Sequence, residues 1–119
     1  MNVKPSFTHL AALLCFAALT GCSRQPQLTV ANQSSTPLTN LVVSGSGFSV
    51  TLGTLAPGAQ TRIGVSPSGD SGLRFEFDAA GKHHSSAPDC YFESSPLYWV
   101  TATVAPDYSV KVNVSTKPY

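Results

Sequence analysis

Leu73-Arg-Phe-Glu-Phe-Asp78 is the stretch on which the fold class turns. On an extended chain Leu73, Phe75 and Phe77 fall on one side and Arg74, Glu76 and Asp78 on the other. That two-residue period belongs to a strand with one face in a core and one in water. Toward the C-terminus, Ala79 to Pro88 reads as loop, with Gly81-Lys-His-His-Ser-Ser86 as a solvated hairpin loop, and Cys90 to Glu93 reads as a short strand. Tyr98 to Val104 then pairs across Ala105-Pro-Asp107 with Tyr108 to Val114, whose Val110, Val112 and Val114 point inward.

Toward the N-terminus the alternation repeats. Ser66 to Gly72 is loop by composition. Before it, Ile63 and Val65 face away from Arg62, Gly64 and Ser66. Leu55-Ala-Pro-Gly58 carries Pro at the first central position of a turn and Gly at the second, which predicts type II. Phe48, Val50 and Leu52 form one segment, and Leu41 and Val43 another. Ser44-Gly-Ser-Gly47 joins the two as a hairpin, with Gly where positive φ is needed. Leu28 and Val30 begin the series, separated from Leu41 by the polar connection Asn32 to Pro37. Seven or eight close-spaced strands with wet outer faces predict an all-β, antiparallel β-sandwich, with a barrel as runner-up.

Composition narrows the function. The 119 residues carry a formal net charge of +1 and only 11% charged side chains, so no basic patch is available to neutralise a row of phosphates and nucleic-acid binding is not expected. Nine Gly and nine Pro suit short strands joined by tight turns. The first residues read as an export signal: Lys4 supplies a positive start, and the apolar run from Leu10 to Leu19 is too short to cross a bilayer as a helix.

Leu19-Thr20-Gly21-Cys22 resembles the lipobox of bacterial lipoproteins, and the resemblance covers these four residues and the apolar run before them. It implies that Leu19, Thr20 and Gly21 are read by the lipoprotein signal peptidase. It also implies cleavage before Cys22 and a diacylglycerol thioether on its sulfur, often with an acyl group on its new amine. Two or three acyl chains anchor a protein stably where one does so marginally. Ser23 stands where an Asp would resemble the inner-membrane retention signal, so if the host is Gram-negative the resemblance implies the outer membrane. The other reading of this segment is an ordinary secretory signal followed by a chance Cys.

The domain plan is residues 1–21 as signal, residues 22–26 as lipidated Cys and linker, and residues 27–119 as the sandwich. Cys15 leaves with the signal and Cys22 takes lipid, so Cys90 stands alone as a small buried hydrophobe or a lone thiol. Asn32, Leu41, Val43 and the Leu55 to Gly58 turn resemble the start of the immunoglobulin-like modules of bacterial surfaces, which implies fold more than function.

Chemistry has few candidates. His83, His84, Asp89 and Cys90 are the weak candidates for a metal site, although adjacent histidines on an extended chain point to opposite sides. Cys90 with His84 and Asp78 has the residue types of a nucleophilic triad without its motif. Outward strand positions account for Glu76 and Asp78 without catalysis, and no cofactor is implied. If Tyr98 shares the inner face with Val100, Ala102 and Val104, Trp99 stands outside with Thr101 and Thr103 as a contact for a partner or lipid surface. The alternative has Trp99 capping the core and Tyr98 wet. The expected function is a non-catalytic, membrane-tethered binding module that presents its loops or an exposed edge to a protein or another envelope component. Its rivals are an inhibitor or immunity-type lipoprotein facing a secreted effector, and a small metal-binding or hydrolytic lipoprotein.

Overall fold

The computed structural model describes residues 25–116, so the signal segment, the lipobox and Cys22 lie outside the described residues. Eight strands and no helix appear among those described: β1 Gln27–Asn32, β2 Leu38–Gly45, β3 Phe48–Leu55, β4 Gln60–Gly64, β5 Arg74–Ala79, β6 Lys82–Ser86, β7 Tyr98–Val104 and β8 Val110–Thr116. They form two four-stranded sheets, ordered β4-β1-β7-β8 and β3-β2-β5-β6. The chain is thus an all-β sandwich. Leu28, Val30, Val100, Ala102 and Val104 from the first sheet meet Leu41, Val43, Phe75 and Phe77 from the second in one core, all at most 2% exposed. No helix among the described residues is long and apolar enough to cross a membrane.

Three expectations need correction. The sheets are not purely antiparallel, because β1 pairs with β7 in parallel while every other pairing of the eight strands is antiparallel. β1 leaves its sheet by a crossover to β2 and β7 is entered by a crossover from β6, so no hairpin turn ties the direction of one to the other. The predicted loop Gly81 to Ser86 is largely strand β6, whereas the predicted strand Cys90 to Glu93 contributes only the isolated bridge Ser71↔Phe92.

Local chemistry explains the turns. Ala59 N–H donates to Ala56 O at 3.0 Å and Gly58 has φ +78°, so Pro57 and Gly58 occupy the two central positions as the type II signature requires. The β2–β3 hairpin turns on Ser46-Gly47, with Gly47 at φ +79°. In β2 the inward residues Leu38, Leu41 and Val43 break strict alternation, and in β3 Leu52 and Leu55 do the same. The pairing register shifts at this level, with Asn40 at φ 51° and Gly53 at φ +76°, a bulge that returns the apolar side chains to the core.

Strand polarity defines two ends of the sandwich. Gln27, Gly64, Trp99 and Ser115 share one row of register at the end where β1 begins. The turn at Ser46, the segment 66–72 and the segment 87–97 close that end, as Ser68 N–H to Ser46 O at 2.8 Å and Ser71 N–H to Phe92 O at 2.9 Å show. The far end holds the connections 33–37, 56–59, 80–81 and 105–109.

Candidate functional site

The outer face of the second sheet gathers ionisable groups. Register sets Glu76 opposite Ser85 and Asp78 opposite His83. His83 Nδ1 lies 2.8 Å from Asp78 Oδ1 and its Nε2 lies 3.6 Å from Glu76 Oε1. Arg74 Nε reaches Glu76 Oε2 at 3.1 Å, and Arg74 also donates to Ser85 Oγ. The β2 bulge turns Asn40 onto the same face, where its side-chain N–H donates to Asp78 Oδ2 at 2.9 Å. That bond, and then the one with His83, hold the Asp78 carboxyl below its usual range. The groups satisfy one another at the surface, where such pairs are worth little. They form a solvated network rather than a cleft that concentrates charge on a substrate.

The remaining metal and nucleophile candidates do not join it. Because β6 is a strand, His84 points opposite to His83, into the space between Phe77 and Tyr108, with ring centroids at 5.1 and 4.8 Å. Its Nε2 is buried with no hydrogen-bond partner. Cys90 lies beside Leu73 at the β1 end, whereas Asp78 and His83 lie near the other end of β5; five residues of extended strand, about 17 Å, intervene. Half-buried, Cys90 is a free thiol whose ionisation burial pushes up, which makes it a poor nucleophile. Asp89 is exposed at the same end as Cys90. Among the described residues no three His, Cys, Asp or Glu side chains form a metal-holding group.

The first sheet presents a different outer face. Val100, Ala102 and Val104 are buried, and Tyr98 turns inward onto Phe92 at 6.4 Å, so Trp99 stands outward in line with Thr101 and Thr103. Around it, register places Gln27, Thr29, Arg62, Asn113 and Ser115, a polar surface without a carboxylate. The Arg62 guanidinium sits 5.4 Å from the centre of the Trp99 ring, a cation–π contact. Arg62 could be read from sequence as outward-facing, but its contact with Trp99 depends on β1 lying between β4 and β7, which no local pattern encodes.

Tyr91 and Leu97 carry no local sequence signal that marks them as a surface patch. They are 50% and 40% exposed and, with Trp99 at 37%, are the large apolar side chains most open to solvent among the described residues. The Tyr91 hydroxyl lies against the carboxylates of Glu93 and, at 3.4 Å, Asp70; the bond to Glu93 pushes its ionisation well above the usual tyrosine range.

The fold and these faces define the class as a small two-sheet β-sandwich with paired, solvated polar groups. No protein-family model and no curated protein matches the chain. Among solved structures, an NMR structure of a protein from Eubacterium rectale is similar, with a TM-score of 0.53 and 14% identity over 77% of this chain and 89% of that one. At that identity the likeness concerns the fold alone.

Proposed function

We propose that the protein is a non-catalytic cell-envelope lipoprotein. In this reading residues 1–21 are removed, lipid on Cys22 anchors the chain to the outer membrane, and the sandwich is held at the bilayer as an interaction module for an envelope protein. The observation that carries it is how little chain separates the lipobox Cys from the folded domain. Pro26 is fully buried and its carbonyl accepts from Val65 N–H at 3.2 Å, while the Gln25 side chain donates to Ser66 Oγ. Only Ser23 and Arg24 stand between Cys22 and these docked residues. A domain that begins three residues after an acylated Cys is built to work at a membrane surface.

The immunoglobulin-like reading belongs to the same proposal. What supports it is the set of four crossovers between sheets, after β1, β3, β4 and β6, mixed with three hairpins. Metabolic labelling with a clickable fatty acid tests the anchor. Label should appear on the wild-type chain and vanish in Cys22→Ser, which should move from the membrane fraction to the soluble one. A secreted chain with an unmodified first residue would overturn the proposal.

A further inference from the structure

We infer that the lipid is not the only membrane contact: Trp99, Leu97 and Tyr91 rest on the headgroup layer of the bilayer and hold the sandwich upright on it. The inference rests on the anchored reading above. Its first support is placement. All three residues lie at the end of the sandwich where β1 begins, Trp99 on the outer face of the first sheet and Tyr91 and Leu97 in the closing segment 87–97, and none of the far-end connections offers an exposed residue of that kind among those described. Its second support is reach. From Cys22 to the docked Gln25 is three residues, at most about 10 Å of extended chain. Trp99 is the parallel-register partner of Gln27, the first residue of β1, so its backbone lies about 5 Å from a residue only two positions beyond Gln25. A lipid-bearing Cys22 therefore draws this end of the sandwich against the headgroups.

The residue types suit that depth. Trp and Tyr favour the membrane–water boundary because their rings are apolar and their N–H or O–H is not. The Tyr91 hydroxyl keeps its carboxylate partners while half of the residue is exposed. Arg62, stacked on Trp99, brings a guanidinium to a level where every phospholipid carries a phosphate. Charge at this end is balanced, with Asp70, Asp89 and Glu93 against Arg62, Arg74 and, in the sequence just before Gln25, Arg24, so docking calls for no anionic lipid.

Trp99 is the only Trp in the chain, so intrinsic fluorescence reports this contact alone. The experiment uses the full-length, acylated protein in phosphatidylcholine–phosphatidylethanolamine vesicles, with mass spectrometry confirming lipid on Cys22. Trp99 emission should shift to the blue relative to soluble Cys22→Ser. It should be quenched by lipids brominated just below the headgroup, and lose most of its accessibility to acrylamide. Leu97→Asp should lose the bromolipid quenching while keeping the wild-type Tm, and phosphatidylglycerol should not strengthen it. Lipid on Cys22 with Trp99 still open to acrylamide overturns the docking and leaves the anchor standing. Quenching that survives Leu97→Asp, or that requires anionic lipid, also overturns it. A missing lipid overturns both readings.

Discussion

At the end of the sandwich where β1 begins, closure is aromatic: Phe92, 1% exposed, inserts between the two sheets from a segment with one backbone bridge, and Tyr98 packs against it edge-on. At the far end closure is polar and hinges on Asn32. Its buried side chain donates to Thr36 O at 2.9 Å and Leu55 O at 3.0 Å and accepts from Ser34 N–H at 2.9 Å and Ser34 O–H at 2.7 Å. Thr36 and Tyr108 share a further hydrogen bond at 2.8 Å. Apolar burial tolerates small adjustments of loop geometry, whereas a saturated hydrogen-bond set fixes its partners in place. The two ends are therefore suited to different tasks: one can settle against a surface, the other holds its loops in a fixed arrangement.

Truncating Phe92 should cost the most. Replacing it with Ala leaves a ring-sized void that the loosely bridged segment can only partly fill. The expected loss is about 3–5 kcal/mol, and a fall in Tm on the order of 15 °C or more for a domain this small. Amide exchange should rise first in segments 66–72 and 87–97, with the far end still protected. Uniform loss of protection would show that the two ends do not melt separately.

Asn32→Ala comes next. It removes four hydrogen bonds and strands the buried Leu55 carbonyl and the Ser34 N–H, at a cost of about 2–4 kcal/mol. Exchange should now rise around 33–37 and 56–59 while Phe92 and its neighbours stay protected. An effect below about 1 kcal/mol would mean that water replaces the side chain and that the far end is not locked by it.

These same residues show what a sequence can and cannot say. Leu73 to Asp78, Tyr98 to Val104 and the Pro57-Gly58 turn were legible because alternation and turn chemistry are local. Strand β6 was not, because Lys82-His-His-Ser-Ser86 contains no aliphatic residue and forms an edge whose pairing with β5 supplies the missing order. The Asn40–Gly53 bulge left a trace, apolar residues three apart beside residues that tolerate positive φ, but alternation read strictly passes over it. The outward face of Trp99 followed from its neighbours. The Arg62 contact and the gathering of Tyr91, Leu97 and Trp99 at one end did not, since they depend on strand order and on the parallel β1–β7 pair.

The smallest expected effect has the opposite sign. Positive φ outside glycine occurs among the described residues at Asn40, Ala80 and Tyr108, all in the far half of the sandwich. Asn tolerates it, and Tyr108 is held by its bond to Thr36, its N–H to Ala105 O and its contact with His84. Ala80, at φ 53° before Gly81 at φ +77°, has no such compensation: it sits at the first central position of a two-residue hairpin where both residues are left-handed. That geometry favours Asn-Gly, because the Asn side chain offsets by local hydrogen bonding what a bare Cβ suffers against the backbone. Ala80 is exposed, so Ala80→Asn changes nothing else in the packing. The gain should be about 0.5–1 kcal/mol, raising Tm by about 2–6 °C. A rise confined to this variant, with no change in Trp99 emission, locates removable backbone strain at the far end and leaves the Trp99 end untouched. A fall in Tm would mean that the hairpin depends on Ala80 for something other than its backbone angles.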